Sequence, residues 1–199
     1  IIEDPDKASG NPMARMFGSG IELKMNEPIY FTTYNRTSKE NGLAMKEIKK
    51  KGIKKIVEGP YTFGNFMYSK GGKGKKPVFV YARGNFEEGN NLFASYDNFK
   101  TQKQLSDINP QQREYNWGTV ELVNWQTADD IFCEGLLFKP EDFDPNKKYP
   151  VMIYFYEKNA NTLYRHRNPT PSRSTVNIPY FVSNGYVVFV PDVYFTGTF

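Results

Sequence analysis

Tyr156 is the residue whose type and position best suit chemistry in this sequence. It ends an apolar run, residues 151–155, that is entered through a proline. A continuous run of this kind predicts a strand buried on both faces. A second run at 187–190, with room for a short helix at 177–184 between them, predicts a parallel βαβ unit. Ligand-binding and catalytic residues of parallel sheets lie at the carboxyl ends of the strands. Tyr156 is at such an end and is therefore the leading site candidate.

The other reactive residue types form no catalytic or metal-binding pattern. His166 is the only histidine and lies between two arginines, so a solvated loop histidine is a better interpretation than a general base. Cys133 is the only cysteine, which excludes an intrachain disulfide and leaves the compartment open. No metal-ligand spacing occurs. No Gly-x-Ser-x-Gly is present, so we expect no nucleophile elbow, and Ser172, Ser174 and Ser183 lack that turn.

Composition and charge exclude several classes of protein. The net charge of +4 is too mild to indicate a nucleic-acid partner. Lysine clusters at 46–55 and 70–76 are better interpreted as hairpin tips than as an anion site, and 71–76 lacks the ending of a P-loop. No apolar run reaches about 18 residues, so no membrane span is predicted. The first residues do not form a signal peptide and are typical of a cut inside a longer chain.

The first half of the chain has the pattern of an antiparallel all-β unit. Residues 4–20 are predicted as a loop that can hold one edge strand. Short strand candidates then follow at 29–34, 43–48, 53–57, 63–69, 78–82, 92–96 and 102–106. Asn41-Gly42, Lys51-Gly52 and Asn90-Asn91 have turn chemistry. Two passes of about four strands would make two blades of a β-propeller.

The second half begins after a polar, turn-like segment at 107–112. Residues 117–125 and 131–138 are predicted to pair as an antiparallel hairpin across a turn at 128–130. A second polar turn, 140–148, leads into the apolar run before Tyr156. We therefore place a domain boundary between residues 112 and 113.

Short motifs in this half resemble a known family when they are taken in order. They are Glu121, Trp125, Asp129-Asp130, Glu134 to Leu137, Lys139-Pro140, Phe143-Asp144, Lys148 to Pro150, Asn184 to Val188 and Pro191-Asp192. Together they resemble the start of the catalytic domain in prolyl oligopeptidase family serine peptidases, most of all the dipeptidyl-peptidase branch. The resemblance implies a mixed fold. Residues 1–112 would be C-terminal propeller blades, and 113–199 the opening strands of an α/β-hydrolase domain, truncated before the nucleophile.

The resemblance also implies a reaction. Family members hydrolyse peptides through a Ser-Asp-His triad without a cofactor, and all three triad residues would lie beyond this chain, which alone should be inactive. Tyr156 matches the family's oxyanion tyrosine, a donor worth about 3 kcal/mol. The sequence departs from the family at 157–159, where small residues are usual, and at 193–195, where arginine and glycine are common. Both departures bear on substrate preference and activity.

Two other hypotheses stay open. One is a non-catalytic binding or scaffold protein with the same fold, which a Gly-x-Ser-x-Gly in the next hundred or so residues of the coding sequence would oppose. The other is an esterase or acylaminoacyl hydrolase, which substrate profiling would separate. The partner expected of the parent protein is a peptide substrate. The isolated chain is expected to self-associate or to need the rest of its parent protein, because the truncated sheet would expose apolar side chains, namely Val151, Ile153, Phe155, Val187, Phe189 and Val190.

Overall fold

The structure of the chain, a computed structural model, describes residues 27–69 and 77–194. Within this part nearly all regular structure is β, arranged in three sheets, with one short α-helix. The predicted edge strand at 4–20, the lysines at 70–76 and Phe195 lie outside the described residues.

The first sheet is antiparallel and has three strands in sequential order. They are β1 (Pro28–Tyr34), β2 (Asn41–Glu47) and β3 (Lys54–Gly59). Asn41-Gly42 is not the predicted turn, because both residues already pair in β2. The turn is made earlier, where the Asn35 side chain accepts the backbone N–H groups of Thr37 and Ser38. Asn35 therefore supplies the turn that was expected from Asn41.

The second sheet has four antiparallel strands, again in sequential order. They are β4 (Thr62–Ser69), β5 (Val78–Gly84), β6 (Asn91–Ser95) and β7 (Lys103–Gln104). A buried cluster of Leu43, Phe79, Tyr81, Phe93 and Phe99 joins it to the first sheet. Asn91 was predicted in a turn but begins β6. The two sheets are consistent with propeller-like blades, and the predicted strands match them closely.

The third sheet is mixed. Its strands are β8 (Thr119–Gln126), β9 (Phe132–Lys139), β10 (Val151–Ile153) and β11 (Val187–Pro191), in the order β10-β11-β9-β8. β8 and β9 form the predicted antiparallel hairpin, and β10 runs parallel to β11, so both pairings are confirmed. Helix α1 (Ile178–Ser183) makes the crossover: the Asn177 side chain accepts the N–H of Tyr180, and Gly185 ends it at φ 79°.

A mixed aliphatic and aromatic core lies under the third sheet. Leu136 and Phe138 of β9 pack with Val182 of α1 and Val188 of β11. Phe86, from the loop after β5, enters the same core, and its carbonyl oxygen accepts the indole N–H of Trp117 at 2.6 Å. The loops of the second sheet therefore pack directly against the third.

The outer face of β10 departs from the prediction of a strand buried on both faces. Val151 is 60% exposed, Ile153 59% and Phe155 67%. β10 is an edge strand, and only its other face, which carries Met152, packs on the core. Val187 and Val190 were expected to be exposed as well, but both are buried, because β11 lies between β10 and β9. Phe189 is half-buried.

Candidate functional site

Tyr156 was predicted to end the strand, but it lies beyond the carboxyl end of β10. The strand ends at Ile153, and one further bond joins the N–H of Tyr154 to the carbonyl oxygen of Phe189 at 3.0 Å. Tyr156 then lies in a bend with 67% of its surface exposed. It is therefore at the predicted edge of the sheet, on a loop and not on the strand itself.

Asp192 holds this loop against the sheet, and the sequence interpretation missed it as a site residue. Its side chain follows the last residue of β11 and is only 7% exposed. One carboxylate oxygen, Oδ1, accepts the backbone N–H of Asn159 at 2.5 Å and that of Ala160 at 2.8 Å. The signal that could have found it is an aspartate directly after a buried parallel strand.

Two more hydrogen bonds close the loop. The side-chain amide of Asn159 donates to the carbonyl oxygen of Tyr156 at 2.7 Å. The N–H of Val193 donates to the carbonyl oxygen of Glu157 at 3.0 Å. Three of the four residues in these bonds, Glu157, Asn159 and Val193, belong to the two segments, 157–159 and 193–195, in which the sequence departs from the pattern it resembles. The first segment lies in the loop that carries Tyr156, and Val193 of the second binds that loop.

Glu157 has a left-handed backbone, with φ 53°. A side chain at such a position costs roughly 1–2 kcal/mol compared with glycine. This explains why glycine suits the position after the tyrosine and why the loop needs external hydrogen bonds here. The backbone path at Glu157 is therefore set by its surroundings and not by its own preference.

A partly buried ion pair joins the first sheet to this edge. Lys39, in the turn between β1 and β2 and only 6% exposed, donates to Oε2 of Glu134 at 2.7 Å and to the carbonyl oxygen of Arg36 at 2.8 Å. The carbonyl oxygen of Glu134 accepts the N–H of Asp192 at 2.9 Å. Lys39, Glu134 and Asp192 thus form one connected path from the first sheet to the Tyr156 loop.

Two phenols near this edge, Tyr34 and Tyr194, have a raised pKa and therefore keep their proton to a higher pH than a free tyrosine. Burial raises the pKa of Tyr194, and the negative charges of Asp192 and Glu134 raise it further. Burial also raises the pKa of Tyr34; Glu134 and Asp192 add to that shift, and Lys39 opposes it. A neutral phenol can donate a hydrogen bond.

His166 is a packed residue, so its interpretation as a solvated loop histidine is wrong. Its ring stacks on Trp117, with centroids 5.5 Å apart and an interplanar angle of 1°. Nδ1 lies 3.2 Å from the carbonyl oxygen of Asn85, and Nε2 is buried without a hydrogen-bond partner among the described residues. Trp117 precedes the start of β8, whereas Asp192 follows the end of β11, at the opposite end of the sheet. His166 is therefore outside the Tyr156 site.

A cleft of about 700 Å³ lies beside His166. Its walls carry exposed aromatic rings, Tyr115 and Tyr180, and uncharged amides such as Asn168 and Asn177. An adjoining cleft of about 670 Å³ is polar and includes Glu87, whose pKa is raised by burial and then by neighbouring carboxylates. No group of His, Cys, Asp and Glu residues in the described part of the chain is placed to hold a metal ion.

Comparison with known proteins gives structural matches alone. No protein-family model matches the sequence, and a search of curated proteins gives no match. The AtxE2 isopeptidase without ligand superposes with a TM-score of 0.59 at 14% identity, over 85% of this chain and 24% of its own. Pyrococcus horikoshii acylaminoacyl peptidase gives 0.59 at 15% identity over 84% and 24%. Porphyromonas gingivalis dipeptidyl peptidase 4 gives 0.55 at 17% identity over 85% and 23%.

These matches show a likeness of fold to a class of peptidases. The neighbours are dipeptidyl peptidase IV-like and acylaminoacyl peptidase chains of the prolyl oligopeptidase family. This chain spans about a quarter of their length, so the likeness concerns a segment of each. No helix in the described ranges is long and apolar enough to cross a membrane.

Proposed function

We propose that this chain is part of a prolyl oligopeptidase family serine peptidase, one that hydrolyses peptides through a Ser-Asp-His triad carried elsewhere in its parent protein. Tyr156 has the role of oxyanion donor. The observation that carries the proposal is the placement of Tyr156 beyond β10 of a parallel β10–β11 pair, on a loop held by Asp192. The peptidase class of the structural neighbours supports it.

The domain assignment is part of the proposal. Residues 1–112 would be C-terminal propeller blades, and 113–199 the first part of an α/β-hydrolase domain. The antiparallel sheets formed by residues 28–104 support the first assignment. The parallel pair joined by helix α1 in a mixed sheet supports the second, because strand, helix and parallel strand are the repeating unit of α/β folds.

The proposed chemistry begins with attack of a serine hydroxyl on the peptide carbonyl. The carbonyl oxygen then becomes an oxyanion, and a donor placed near it stabilises the tetrahedral intermediate more than the substrate. The Tyr156 side chain is exposed, and no group among the described residues forms a hydrogen bond with its hydroxyl. Its donor capacity is thus open to a substrate.

The test is Tyr156→Phe in the full-length parent. We expect kcat to fall about tenfold to a thousandfold with little change in KM, because only a donor to the charged intermediate is lost. Tyr180→Phe is the matched control, since Tyr180 is similarly exposed but lies on α1. An unchanged kcat, measured where chemistry limits turnover, would show that Tyr156 has no such role.

A second experiment separates the type of hydrolase. One structural neighbour is an acylaminoacyl peptidase, so the parent should be profiled with free dipeptidyl, N-acylated and ester substrates. Preference for esters would favour an esterase over a peptidase.

The 199-residue chain alone should not react with a fluorophosphonate probe, because its sequence has no Gly-x-Ser-x-Gly. Labelling of one serine in stoichiometric amount would show that a site had been missed, and an unreactive parent would favour the scaffold hypothesis.

A further inference from the structure

We infer that Asp192 is a positioning residue: its buried carboxylate sets the place of the Tyr156 hydroxyl by fixing the backbone of residues 156–160. This inference rests on the proposed function of Tyr156. It assigns a role to a residue that contacts neither the tyrosine side chain nor, in the proposed reaction, the substrate.

The first step concerns what can hold Tyr156 in place. Its side chain is 67% exposed and belongs to neither of the buried clusters. Packing in the described residues therefore does not fix the ring, and its position depends on the backbone that carries it. That backbone has left the sheet after Ile153, so pairing between strands does not fix it either.

The second step concerns the stiffness of the anchor. Asp192 directly follows Pro191 of β11, and its own N–H is bonded to the carbonyl oxygen of Glu134 on β9. The carboxylate thus belongs to the rigid sheet. A buried, charged acceptor makes strong hydrogen bonds, and here one oxygen receives two N–H groups from consecutive residues, Asn159 and Ala160.

The third step connects the anchor to the tyrosine. The side chain of Asn159, whose backbone Asp192 holds, donates to the carbonyl oxygen of Tyr156. Glu157, between them, has a left-handed backbone that persists only if its surroundings impose it. Loss of the carboxylate would leave two N–H groups without their acceptor and let Glu157 relax. A shift of about 1 Å in a reacting group is enough to cost two orders of magnitude in rate.

Hydrogen exchange in the full-length parent tests the anchoring directly. In Asp192→Ala, the amides of Asn159 and Ala160 should exchange about tenfold to a hundredfold faster, because bonds to a charged acceptor are lost. Asp192→Asn keeps an acceptor oxygen and should show a smaller change; it also serves if the alanine variant does not fold. Ser95→Ala is the matched control: Ser95 is fully buried and its hydroxyl accepts the N–H of Phe99 in the blade. Unchanged exchange at residues 159 and 160 in Asp192→Ala would overturn the inference.

A double-mutant cycle tests the consequence for catalysis. Asp192→Ala should lower kcat with little change in KM, and Asp192→Asn should recover part of the loss. In a Tyr156→Phe background, Asp192→Ala should have little further effect, because a residue that acts through another is not additive with it. An equal loss of kcat in both backgrounds would overturn the inference. If Tyr156→Phe keeps full activity, the proposed function fails, whereas faster exchange in Asp192→Ala still supports the anchoring of the loop.

Discussion

The core shared by the first two sheets and the outer edge of the third sheet are stabilised by different means. Tyr81 and Phe79 are at most 1% exposed. Both rings pack against Phe99, with centroid distances of 4.9 Å for Tyr81 and 5.0 Å for Phe79. By contrast, the outward side chains of β10 are more than half exposed. The region of the first two sheets therefore depends on enclosed aromatic packing, whereas the candidate site lies where packing is open and hydrogen bonds set the geometry.

This difference bears on the proposed function. In that proposal the Tyr156 loop presents a donor to a substrate and cannot be buried, so its precision has to come from polar contacts with a rigid element. Asp192 supplies such contacts from the end of β11. The Lys39–Glu134 pair then connects that end of the third sheet to the first sheet.

The largest effect is expected in the enclosed core. Phe79→Ala should lower the free energy of unfolding by about 3–5 kcal/mol, because it removes a buried ring and leaves a cavity. Ile153→Ala should lower it by less than about 1 kcal/mol, since its side chain is 59% exposed. Urea unfolding of both variants would measure the contrast. Similar losses would mean that the outer face of β10 is covered in solution.

An intermediate effect is expected at the connection between the regions. Lys39→Met should lower the free energy of unfolding by about 1–3 kcal/mol, because Glu134 would remain half-buried without its cation. Lys55→Met is the control: it removes an ion pair with Glu58 in which the lysine is 61% exposed. Chemical denaturation of both variants measures the difference. Equal free energies of unfolding for the two variants would show that the Lys39–Glu134 pair does not stabilise the connection between the first sheet and the candidate site.

A smaller effect depends on pH. Burial raises the pKa of Tyr81 to about 12, from an ordinary value of 10.0. Between these values the unfolded chain releases the phenol proton and the folded chain keeps it. The stability from this group is thus present below pH 10.0 and is lost as the pH rises toward 12. Unfolding by urea at about pH 9 and about pH 11 should show the fall.

Tyr81→Phe provides the control for this dependence. It should cost about 1 kcal/mol at neutral pH, because the hydroxyl donates to Oε1 of Gln102 at 2.7 Å. The variant should also lose stability less steeply between about pH 9 and about pH 11. The same slope in both proteins would show that Tyr81 does not cause the alkaline loss.

The sequence was most informative where local pattern decides the structure. The strands of the first half, the β8–β9 hairpin and helix α1 follow from alternating or apolar runs and from turn residues. Contacts between distant residues were not predictable in this way. His166 is packed because Asn85 and Trp117 meet it in space, and Asp192 anchors a loop that begins more than thirty residues earlier. The order of residues along the chain does not show either contact.

The smallest effect on unfolding, and the clearest test of the open edge, is Ile153→Lys. The change should alter the free energy of unfolding by no more than about 0.5 kcal/mol, because the side chain is largely exposed. It should nevertheless reduce association, since β10 is an edge strand with an apolar outer face and lysine on an edge opposes strand pairing. Light scattering over a concentration series should show the average mass of the unchanged 199-residue chain rising more steeply than that of the variant. Ile53→Lys is the matched control, because Ile53 is equally apolar and 66% exposed but lies in the turn before β3. If the unchanged chain stays a monodisperse monomer, or if both variants behave alike, the outer face of β10 is not an association surface.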